Sequence, residues 1–504
     1  MERSWTLAEL CEQAGVTGDA ISGSAPFTDL CSDSRRISPT QAYVVEPSPN
    51  KDTHQFLSDA RTNGAQAAIV HSQAGFEAAT SMGFSALLLD EGKGAFSEGI
   101  WKLAKTAFGN PSRELKVVGI TGTNGKTTTA WILREALIQL GSPCAYLGTL
   151  GYQSTGEREK GLNTTPFASD VQRRLRQAVD EGCKAIAMEV SSHALAQKRV
   201  DGVEFDFGVM TNFTQDHLDF HVTMEAYKEA KWRLFSDLRE ASSKEFKGVF
   251  NVDDPVAKAW SKVVPNAITY GTVVGDFRLG WHEVRVDGLA MEIEFRGDSY
   301  VIDHGLGGAF NLSNTLSAFA TLHALGYDLS DAAEALSNVT PVPGRFESVP
   351  NEFGFGIIVD YAHTPDALER TLDTIRALGA KRIIGLFGCG GDRDRTKRPI
   401  MAAAVGLQSD IVILTSDNPR TEDPMQIISD ARAGLNPSLP TYEIPDRREA
   451  VVKAIELAEP GDVVLLAGKG HEDYQIIGTT RYPMDDKLLA RDALEVRRAK
   501  SATR

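Results

Sequence analysis

The 504-residue sequence has little cysteine, no long apolar run and no excess of basic side chains. Its five cysteines are scattered and show no Cys-x-x-Cys spacing, so neither a disulfide framework nor a zinc site is indicated. No segment approaches the ~20 apolar residues that span a bilayer, and the N-terminus lacks the basic and apolar regions of a signal peptide. The net charge of -15 argues against a nucleic-acid scaffold. These absences predict a cytoplasmic protein that binds small molecules, without membrane insertion and without nucleic acid.

Apolar runs of strand length alternate with helical stretches along the chain, which is the pattern of parallel sheets covered by helices. Turn-forming residues interrupt this alternation at 109–112 and again at 339–344. A length prior of ~150 residues per domain also suggests about three domains. We therefore expect an α/β fold with an N-terminal domain over 1–111, a central parallel-sheet domain over 112–340 and a C-terminal Rossmann-like domain over 341–504.

A glycine-rich loop, Gly122-Thr123-Asn124-Gly125-Lys126-Thr127, follows an apolar run and precedes a helical stretch. A strand that breaks into glycines and opens a helix directs backbone N–H groups and the positive helix end at one point, which suits a polyphosphate. Lys126 would reach the β- and γ-phosphates, and the Thr127 hydroxyl would bind Mg²⁺. The spacing departs from the general P-loop, which has glycine where this chain has Ile120, and a plain glycine-rich turn is the alternative.

Two further apolar runs end in polar residues that suit a metal ion. Glu189 directly follows the run 185–188, and a segment containing His217 follows the run 207–210. Ligand-binding groups of α/β proteins lie at such strand ends, and carboxylate or imidazole groups there can clamp Mg²⁺ on ATP. The alternative for the histidine segment is helix capping by Thr214 or Asp216. Lys231, farther along, has the spacing of an exposed helix lysine.

Together these segments resemble the Mur ligases of peptidoglycan synthesis. The loop alone is shared with the related folylpolyglutamate synthetases, whereas Glu-Val-Ser-Ser-His at 189–193 and Asp-His-Leu-Asp-Phe-His at 216–221 are similar to Mur ligase segments. The resemblance implies a catalytic set of Lys126, Glu189, His217 and Lys231. It implies Mg²⁺ held by Thr127, Glu189, His217 and a CO₂-derived carbamate on Lys231, since a free ammonium would repel the ion. It also implies ATP binding by Gly122, Thr123, Asn124, Gly125, Lys126, Thr127, Thr128, Asn311, Arg345 and Asp360.

The same resemblance implies a site for UDP-N-acetylmuramoyl-L-alanyl-D-glutamate. The segments that carry it are Ser32-Asp33-Ser34-Arg35, Asn163-Thr164-Thr165-Pro166 and the stretch from 191 to 199. The ordinary alternative for Asn163-Thr164-Thr165-Pro166 is a simple turn ended by proline. The residues implied in this site are Ser32, Ser34, Asn163, Thr164, Thr165, Ser191, Gln197 and Arg199.

The segment Ser416-Asp417-Asn418-Pro419-Arg420 resembles the Asp-Asn-Pro-Arg segment of the diaminopimelate-adding members of the family. The Arg420 guanidinium can form a bidentate pair with a carboxylate, which meso-diaminopimelate has at its side-chain end and lysine lacks. The alternative is a surface arginine in a turn. The implied diaminopimelate site consists of Arg393, Asp417, Asn418, Pro419, Arg420, Gly468 and Glu472, with Glu472 accepting from the distal ammonium.

The resemblance therefore implies an ATP-dependent amide ligase that adds meso-diaminopimelate to the D-glutamate of its UDP-linked acceptor through an acyl phosphate. A ligase that adds L-lysine to the same acceptor is the alternative within the family. From a different class, a nucleotide-dependent binding module or switch would hold ATP and activate no acceptor. We expect a monomer whose partners are its small-molecule substrates.

Overall fold

The computed structural model describes residues 4–48, 51–161 and 163–502. Contacts within the chain divide it into two compact units, Met1–Arg278 with Leu316–Ala335, and Leu279–Thr315 with Leu336–Arg504. Among the described residues, none of the helices combines the length and the apolar character that a membrane crossing requires. The structure confirms the predicted α/β class, while the domain boundaries at 111 and 340 stay predictions.

The first unit begins with a small sheet of short strands. Its elements are β1 (Ala20–Ser22), β2 (Asp29–Cys31), β3 (Gln41–Val44), β4 (Ala67–Val70), β5 (Ser85–Leu88), α1 (Leu7–Ala14), α2 (Leu57–Thr62), α3 (Gln73–Ser81) and α4 (Ala95–Ala107). The strand order is β1-β5-β4-β3-β2, and every neighbouring pair is parallel except β1 with β5. Apolar side chains form a separate core on each face of this sheet, which is why β4 is buried along its whole length.

The larger sheet of the first unit carries the glycine-rich loop. Its elements are β6 (Lys116–Thr121), β7 (Cys144–Gly148), β8 (Gly151–Gln153), β9 (Ala185–Glu189), β10 (Phe207–Met210), β11 (Lys247–Asn251), β12 (Ile268–Gly271), α5 (Lys126–Gln139), α6 (Ala168–Asp180), α7 (Ser192–Ala196), α8 (Leu218–His221), α9 (Met224–Trp232), α10 (Asp237–Ala241) and α11 (Pro255–Ser261). The order β12-β11-β10-β6-β9-β7-β8 places β6 between β9 and β10. All of these pairs are parallel except β7 with β8, so the carboxyl ends of β6, β9 and β10 meet at one edge.

The next elements include an antiparallel pair that the predicted parallel alternation does not account for. They are β13 (Phe277–Val284), β14 (Leu289–Phe295), β15 (Asp298–His304), α12 (Phe310–Ala324) and α13 (Leu329–Ser337). In the pairing of β14 with β15, Leu289 lies opposite His304 and Phe295 lies opposite Asp298. Partly exposed residues alternate with buried ones toward the end of β14, and most of β15 is exposed, so no continuous apolar run marks this hairpin in the sequence.

The second unit contains the Rossmann-like sheet that was predicted for the C-terminal region. Its elements are β16 (Glu347–Ser348), β17 (Gly356–Asp360), β18 (Ile383–Cys389), β19 (Ile411–Ser416), β20 (Thr441–Glu443), β21 (Val463–Ala467), β22 (Tyr474–Ile477), β23 (Thr480–Pro483), α14 (Pro365–Ala377), α15 (Lys397–Gln408), α16 (Pro424–Arg432), α17 (Arg447–Leu457) and α18 (Asp486–Ala502). The order is β16-β17-β21-β18-β19-β20, parallel except for β16 with β17. Separate apolar cores cover its two faces, as in doubly wound folds.

Candidate active site

The glycine-rich loop joins β6, which ends at Thr121, to α5, which begins at Lys126. Gly125 caps the helix with φ 86°, and Gly122 has φ 143°. A Cβ on Gly122 would lie 1.8 Å from the Thr211 hydroxyl oxygen, so this position requires glycine. The loop backbone and the positive end of α5 therefore converge, as binding of a phosphate requires.

The polar segment after β10 fixes the loop in this conformation. The backbone N–H of Thr123 donates to the Asn212 carbonyl at 2.9 Å, and the N–H of Asn124 donates to the Asn212 side chain at 2.9 Å. The ammonium group of Lys126 donates to the carbonyls of Gly122 and Thr123, each at 2.9 Å. The lysine charge thus lies against the loop that is predicted to hold phosphate.

Glu189 is the last residue of β9 and is 0% exposed. Its Oε2 accepts from the Thr127 hydroxyl at 2.9 Å and from the Thr149 hydroxyl at 3.2 Å. Its Oε1 accepts from the Tyr146 hydroxyl and from the Thr149 N–H. The carboxylate therefore lies beside the first turn of α5. Tyr146 and Thr149 were not predicted as site residues, because nothing local distinguishes them from ordinary strand and turn residues.

Lys231 lies in α9 and is 1% exposed, so the exposed lysine predicted from helical spacing is wrong. The prediction from spacing fails because α9 packs against α7 and α8, and a local sequence pattern does not reveal such packing. The Lys231 ammonium donates to the Gly122 carbonyl at 2.7 Å. Burial lowers the pKa of Lys231 well below its ordinary value, and the charge of Lys126 lowers this pKa further.

His217 immediately precedes α8 and has φ 53°. Helix capping by Thr214 or Asp216 is not what the structure shows, since His217 itself occupies the N-cap position and no side chain caps the helix. Its ring centre lies 4.8 Å from that of His193. Burial lowers the pKa of His217, although Asp216 opposes the shift. The neutral imidazole, which is the form that ligates metals, is therefore favoured.

Several residues predicted to bind the UDP-linked substrate lie next to Glu189. The Thr165 hydroxyl donates to the Glu189 carbonyl at 2.8 Å and accepts from the Ser191 N–H at 3.0 Å. Arg199 donates to the Thr165 carbonyl at 2.8 Å and to the Gln197 side chain at 2.9 Å. Four predicted residues therefore form one hydrogen-bonded group beside Glu189 and the glycine-rich loop: Thr165, Ser191, Gln197 and Arg199.

The other predicted residues of this substrate site lie in two places. In the turn Asn163–Thr164, the threonine hydroxyl oxygen lies 3.1 Å from that of Thr149, so this turn is also close to Glu189. Ser32 lies directly after β2 and donates to Asp170 in α6 at 2.5 Å. Ser34 is nearby in sequence and buried. The structure thus places Ser32 between the small sheet and α6.

In the second unit, Asp360 ends β17 and lies near Arg345. Its Oδ2 accepts from the Phe346 N–H at 2.7 Å, and its Oδ1 accepts from the Ala362 N–H at 2.8 Å. Burial raises the pKa of Asp360, while the charge of Arg345 acts in the opposite direction. Asn311 is 2% exposed near the start of α12, where its amide donates to a backbone carbonyl. The carboxylate and guanidinium predicted for ATP therefore interact with each other.

Arg420 follows β19 in the left-handed conformation, with φ 52°. Its guanidinium donates to the Gly391 carbonyl at 2.8 Å, and its backbone N–H donates to the Ile476 carbonyl at 3.0 Å. A Cβ on Gly390 would lie 3.2 Å from the Arg420 guanidinium and 3.3 Å from Arg393 Cγ. Both predicted arginines therefore lie against the same glycine loop, and Arg393 is exposed.

A buried lysine that was not predicted as a site residue joins the predicted amino-acid site. Lys469 is 0% exposed, and its ammonium donates to Asn418 Oδ1 at 2.8 Å. The same nitrogen lies 3.1 Å from Asp417 Oδ1 and 3.2 Å from Glu472 Oε2. The contact with Asp417 is an ion pair without hydrogen-bond alignment. The signal available in the sequence was a lysine between two glycines directly after an apolar run.

Comparison with known proteins places these groups in a family. A family model described as the Mur ligase middle domain matches residues 120–322, and one described as the Mur ligase, glutamate ligase domain matches 344–470. The chain is 41% identical over 481 residues to the UDP-N-acetylmuramoyl-L-alanyl-D-glutamate–2,6-diaminopimelate ligase of Geobacillus thermodenitrificans, covering 94% of this chain and 96% of the relative. The chain belongs to the Mur ligase family.

Two more relatives of this Mur ligase carry the same name. The Streptomyces coelicolor protein is 38% identical over 500 residues, covering 97% of this chain and 96% of the relative. A solved structure of a UDP-N-acetylmuramoyl-L-alanyl-D-glutamate–2,6-diaminopimelate ligase is 32% identical with a TM-score of 0.64, covering 99% of this chain and 100% of that one. The predicted enzyme class, an ATP-dependent ligase that forms a carbon-nitrogen bond, is confirmed.

The structure of this Mur ligase brings most of the predicted residues together in groups within its units. Thr128 completes the first turn of α5 and is buried, Pro419 is buried beside Arg420, and Gly468 follows β21 with φ 106°. The roles assigned to the individual residues stay predictions. The group around the phosphate loop consists of Gly122, Thr123, Asn124, Gly125, Lys126, Thr127, Glu189 and Lys231. The group in the second unit consists of Asp417, Asn418, Glu472 and the unpredicted Lys469.

Proposed function

We propose that this Mur ligase joins meso-diaminopimelate to the D-glutamate γ-carboxylate of UDP-N-acetylmuramoyl-L-alanyl-D-glutamate, converting ATP to ADP and phosphate. The observation that carries the proposal is the position of Arg420, whose guanidinium lies against Gly391 and whose neighbour Asn418 contacts Glu472. An arginine next to a carboxylate can bind an amino-acid zwitterion through its carboxylate and its ammonium. The names of the relatives agree with this substrate.

The first chemical step is transfer of the γ-phosphoryl group. A carboxylate is a poor electrophile, so an oxygen of the D-glutamate γ-carboxylate attacks the γ-phosphorus and ADP leaves. The N–H groups and the positive end of the first turn of α5 bind the phosphates, and Lys126 balances charge on the phosphoryl oxygens. The product is an acyl phosphate.

The second step forms the amide. The neutral amine of diaminopimelate attacks the acyl carbon, and phosphate leaves from the tetrahedral intermediate as the amine loses a proton. Exclusion of water protects the acyl phosphate from hydrolysis. The buried Glu189 and the connected Thr165 group, next to the phosphate loop, are suited to hold the acceptor here.

Mg²⁺ fits the donor set around Glu189. Thr127 and Glu189 supply a hydroxyl and a carboxylate within 2.9 Å of each other, and such hard oxygen ligands are the ones that Mg²⁺ prefers. Among the described residues, no group of three or more His, Cys, Asp or Glu side chains could hold a metal ion by itself. We therefore include His217 and a carbamate on Lys231 in the proposed set. When bound, the ion would neutralise charge on the phosphates of ATP.

The carbamate is consistent with the surroundings of Lys231. A neutral amine is the form that adds to CO₂, and burial lowers the pKa of this lysine well below its ordinary value. The adduct would replace a cation beside the phosphates with an anionic oxygen ligand. Activity lost in Lys231→Ala and restored by short carboxylic acids would support this assignment, and no restoration would count against it.

The remaining assignments follow the same proposal. We propose that Ser32, Ser34, Asn163, Thr164, Thr165, Ser191, Gln197 and Arg199 bind the UDP-linked acceptor. Asn311, Arg345 and Asp360 would contact the adenosine part of ATP, and Arg393 and Gly468 would complete the amino-acid site. A UDP-linked precursor and ATP are cytoplasmic compounds, so we place the reaction in the cytoplasm, with the protein as a monomer.

An amino-acid panel tests the proposal directly. Purified enzyme with ATP, Mg²⁺ and the UDP-muramoyl dipeptide should release phosphate with meso-diaminopimelate and not with L-lysine. Release with lysine alone would establish the rival ligase, and ATP turnover independent of the acceptor and the amino acid would indicate a nucleotide-dependent switch. Arg420→Ala should raise the KM for diaminopimelate by at least about tenfold, as expected for loss of a charge-assisted hydrogen bond.

A matched control variant shows whether loss of any arginine side chain from the second unit impairs diaminopimelate binding. Arg432 lies in α16 and pairs with Glu443 at 3.5 Å, outside the proposed site. Arg432→Ala should leave the KM for diaminopimelate unchanged. If both arginine variants raised that KM equally, the role proposed for Arg420 would be wrong.

A further inference from the structure

The Lys469 ammonium connects two loops that carry proposed amino-acid-binding residues. One loop follows β19 and holds Asp417 and Asn418, and the other follows β21 and holds Glu472. An ammonium has three N–H donors and no acceptor, and Lys469 lies near a carboxylate or amide oxygen of each of these three residues, at 2.8 to 3.2 Å. A lysine that is 0% exposed requires such compensation, because burial of an unpaired charge is costly.

These contacts restrain Glu472 through one of its two oxygens. Glu472 Oε2 accepts hydrogen bonds from the Lys469 ammonium at 3.2 Å and from the Asn418 side-chain amide at 3.1 Å. Glu472 Oε1 has the Tyr474 hydroxyl at 3.5 Å, which is beyond the usual hydrogen-bond range. The carboxylate therefore has a defined direction, and Oε1 retains capacity to accept from a ligand.

The charges in this cluster favour a cationic ligand. Asp417 and Glu472 are two carboxylates around the single ammonium of Lys469, and the nearby guanidinium of Arg447 is already paired with Asp486. The cluster is therefore negative when all of these groups are ionised. One additional ammonium neutralises it. Without Lys469 the two carboxylates would repel each other, and Glu472 would lose the contact that orients it.

We propose that Lys469 is a positioning residue that orients Glu472 to accept from the side-chain ammonium of the amino-acid substrate. The inference rests on the proposed function. Lys469 itself does not contact the substrate, since it is 0% exposed, donates to Asn418 and Glu472, and pairs its charge with Asp417. Its effect on amino-acid binding is transmitted through the Glu472 carboxylate.

A double-mutant cycle tests this role. We expect Lys469→Met to raise the KM for meso-diaminopimelate by about tenfold or more, in line with the loss of a charge-assisted hydrogen bond, and to leave the KM for ATP within about twofold. Glu472→Gln should raise the KM for meso-diaminopimelate by a similar factor. Because Lys469 acts through Glu472, the double variant should have the same KM as Glu472→Gln.

Lys469→Met leaves the Asp417 and Glu472 carboxylates without their cation, and this variant is used only if it folds. In the double variant, Glu472→Gln removes one of these two charges, so its comparison with Glu472→Gln alone does not depend on the folding of Lys469→Met. A further several-fold rise in the double variant, or a parallel rise in the KM for ATP, would overturn the inference. The control is Arg382→Met, which removes an ion pair with Asp462 at the opposite ends of the strands and should leave both KM values unchanged.

The wild-type assay separates the two levels of the proposal. A wild-type enzyme that does not use meso-diaminopimelate would overturn the proposed function, and the inference with it. If the wild-type enzyme uses meso-diaminopimelate but the effects of Lys469→Met and Glu472→Gln on its KM are additive, the inference alone would be overturned.

Discussion

The side-chain nitrogen of Lys231 donates to the carbonyl oxygen of Gly122 across a distance of 2.7 Å. This hydrogen bond joins α9 to the glycine-rich loop, so a helix far along the chain contributes to the proposed phosphate site. Both the burial of Lys231 and the charge of Lys126 favour its neutral amine. The lysine is therefore poised for chemistry that a surface lysine does not undergo at neutral pH.

The lowered pKa of Lys231 predicts a pH-dependent stability. At neutral pH the folded state binds fewer protons at this site than the unfolded chain, whose lysine pKa is about 10.4, so stability rises with pH toward that value. Lys231→Met removes this penalty. In bicarbonate-free buffer we expect the variant to unfold at a higher temperature than the wild type at pH 7, with a difference that shrinks as the pH approaches about 10.

Differential scanning calorimetry across this pH range measures the effect. Lys228→Met is the control, because Lys228 lies in the same helix and pairs with Glu225 at 2.7 Å near the surface. A stability difference for Lys231→Met that did not change with pH would contradict the prediction.

Gly122→Ala should weaken nucleotide binding. The new Cβ would lie 1.8 Å from the Thr211 hydroxyl oxygen, so the loop must move. We expect ADP affinity, measured by calorimetry, to fall by at least about tenfold, in line with a strain of ~1–3 kcal/mol. Gly141→Ala is the matched control, since Gly141 has φ 73° but nothing within 4 Å of its Cβ position. Its cost of about 1 kcal/mol should affect stability and leave ADP binding intact.

Val222→Gly should stabilise the protein. Val222 has φ 65° and ψ -43°, and the Thr223 N–H donates across it to the His221 carbonyl at 2.7 Å, which forms a strained γ-turn. The side chain is 78% exposed, so its removal loses little packing. We expect a gain of about 1 kcal/mol by chemical denaturation. Asn266→Gly, at φ 54°, should gain less, because asparagine tolerates this conformation; equal gains would argue against strain at Val222.

The lowered pKa of Glu204 predicts that the protein loses stability in acid. Burial tends to raise its pKa, but hydrogen bonds from Ser243, Asn110 and Lys105 lower the pKa to about 2. The stabilisation is present above the unfolded value of about 4.3 and is lost as the pH falls toward 2. Glu204→Gln should therefore lower the free energy of unfolding by on the order of 1–2 kcal/mol at pH 7, and by much less near pH 2. Urea denaturation at both values checks this expectation, and a cost independent of pH would contradict it.

The fold around the site could be predicted where apolar runs are continuous. The runs before Glu189 and before the glycine-rich loop became β9 and β6, because parallel strands are buried on both faces. The hairpin of β14 and β15 was not predicted, since its exposed face interrupts the run. The turn that carries Val222 was not predicted either, because valine is not a residue that a left-handed turn selects.

The sequence by itself determined which chemical groups the candidate site contains. The glycines of the phosphate loop, Glu189 at a strand end and Arg420 after β19 are local features, since each depends on the residues beside it in the chain. Only the tertiary structure decided that Lys231 is buried against Gly122 and that Lys469 holds Glu472. The physical reason is that burial and partner choice depend on which elements pack together, and the spacing within one helix or loop carries no information about a partner distant in the chain.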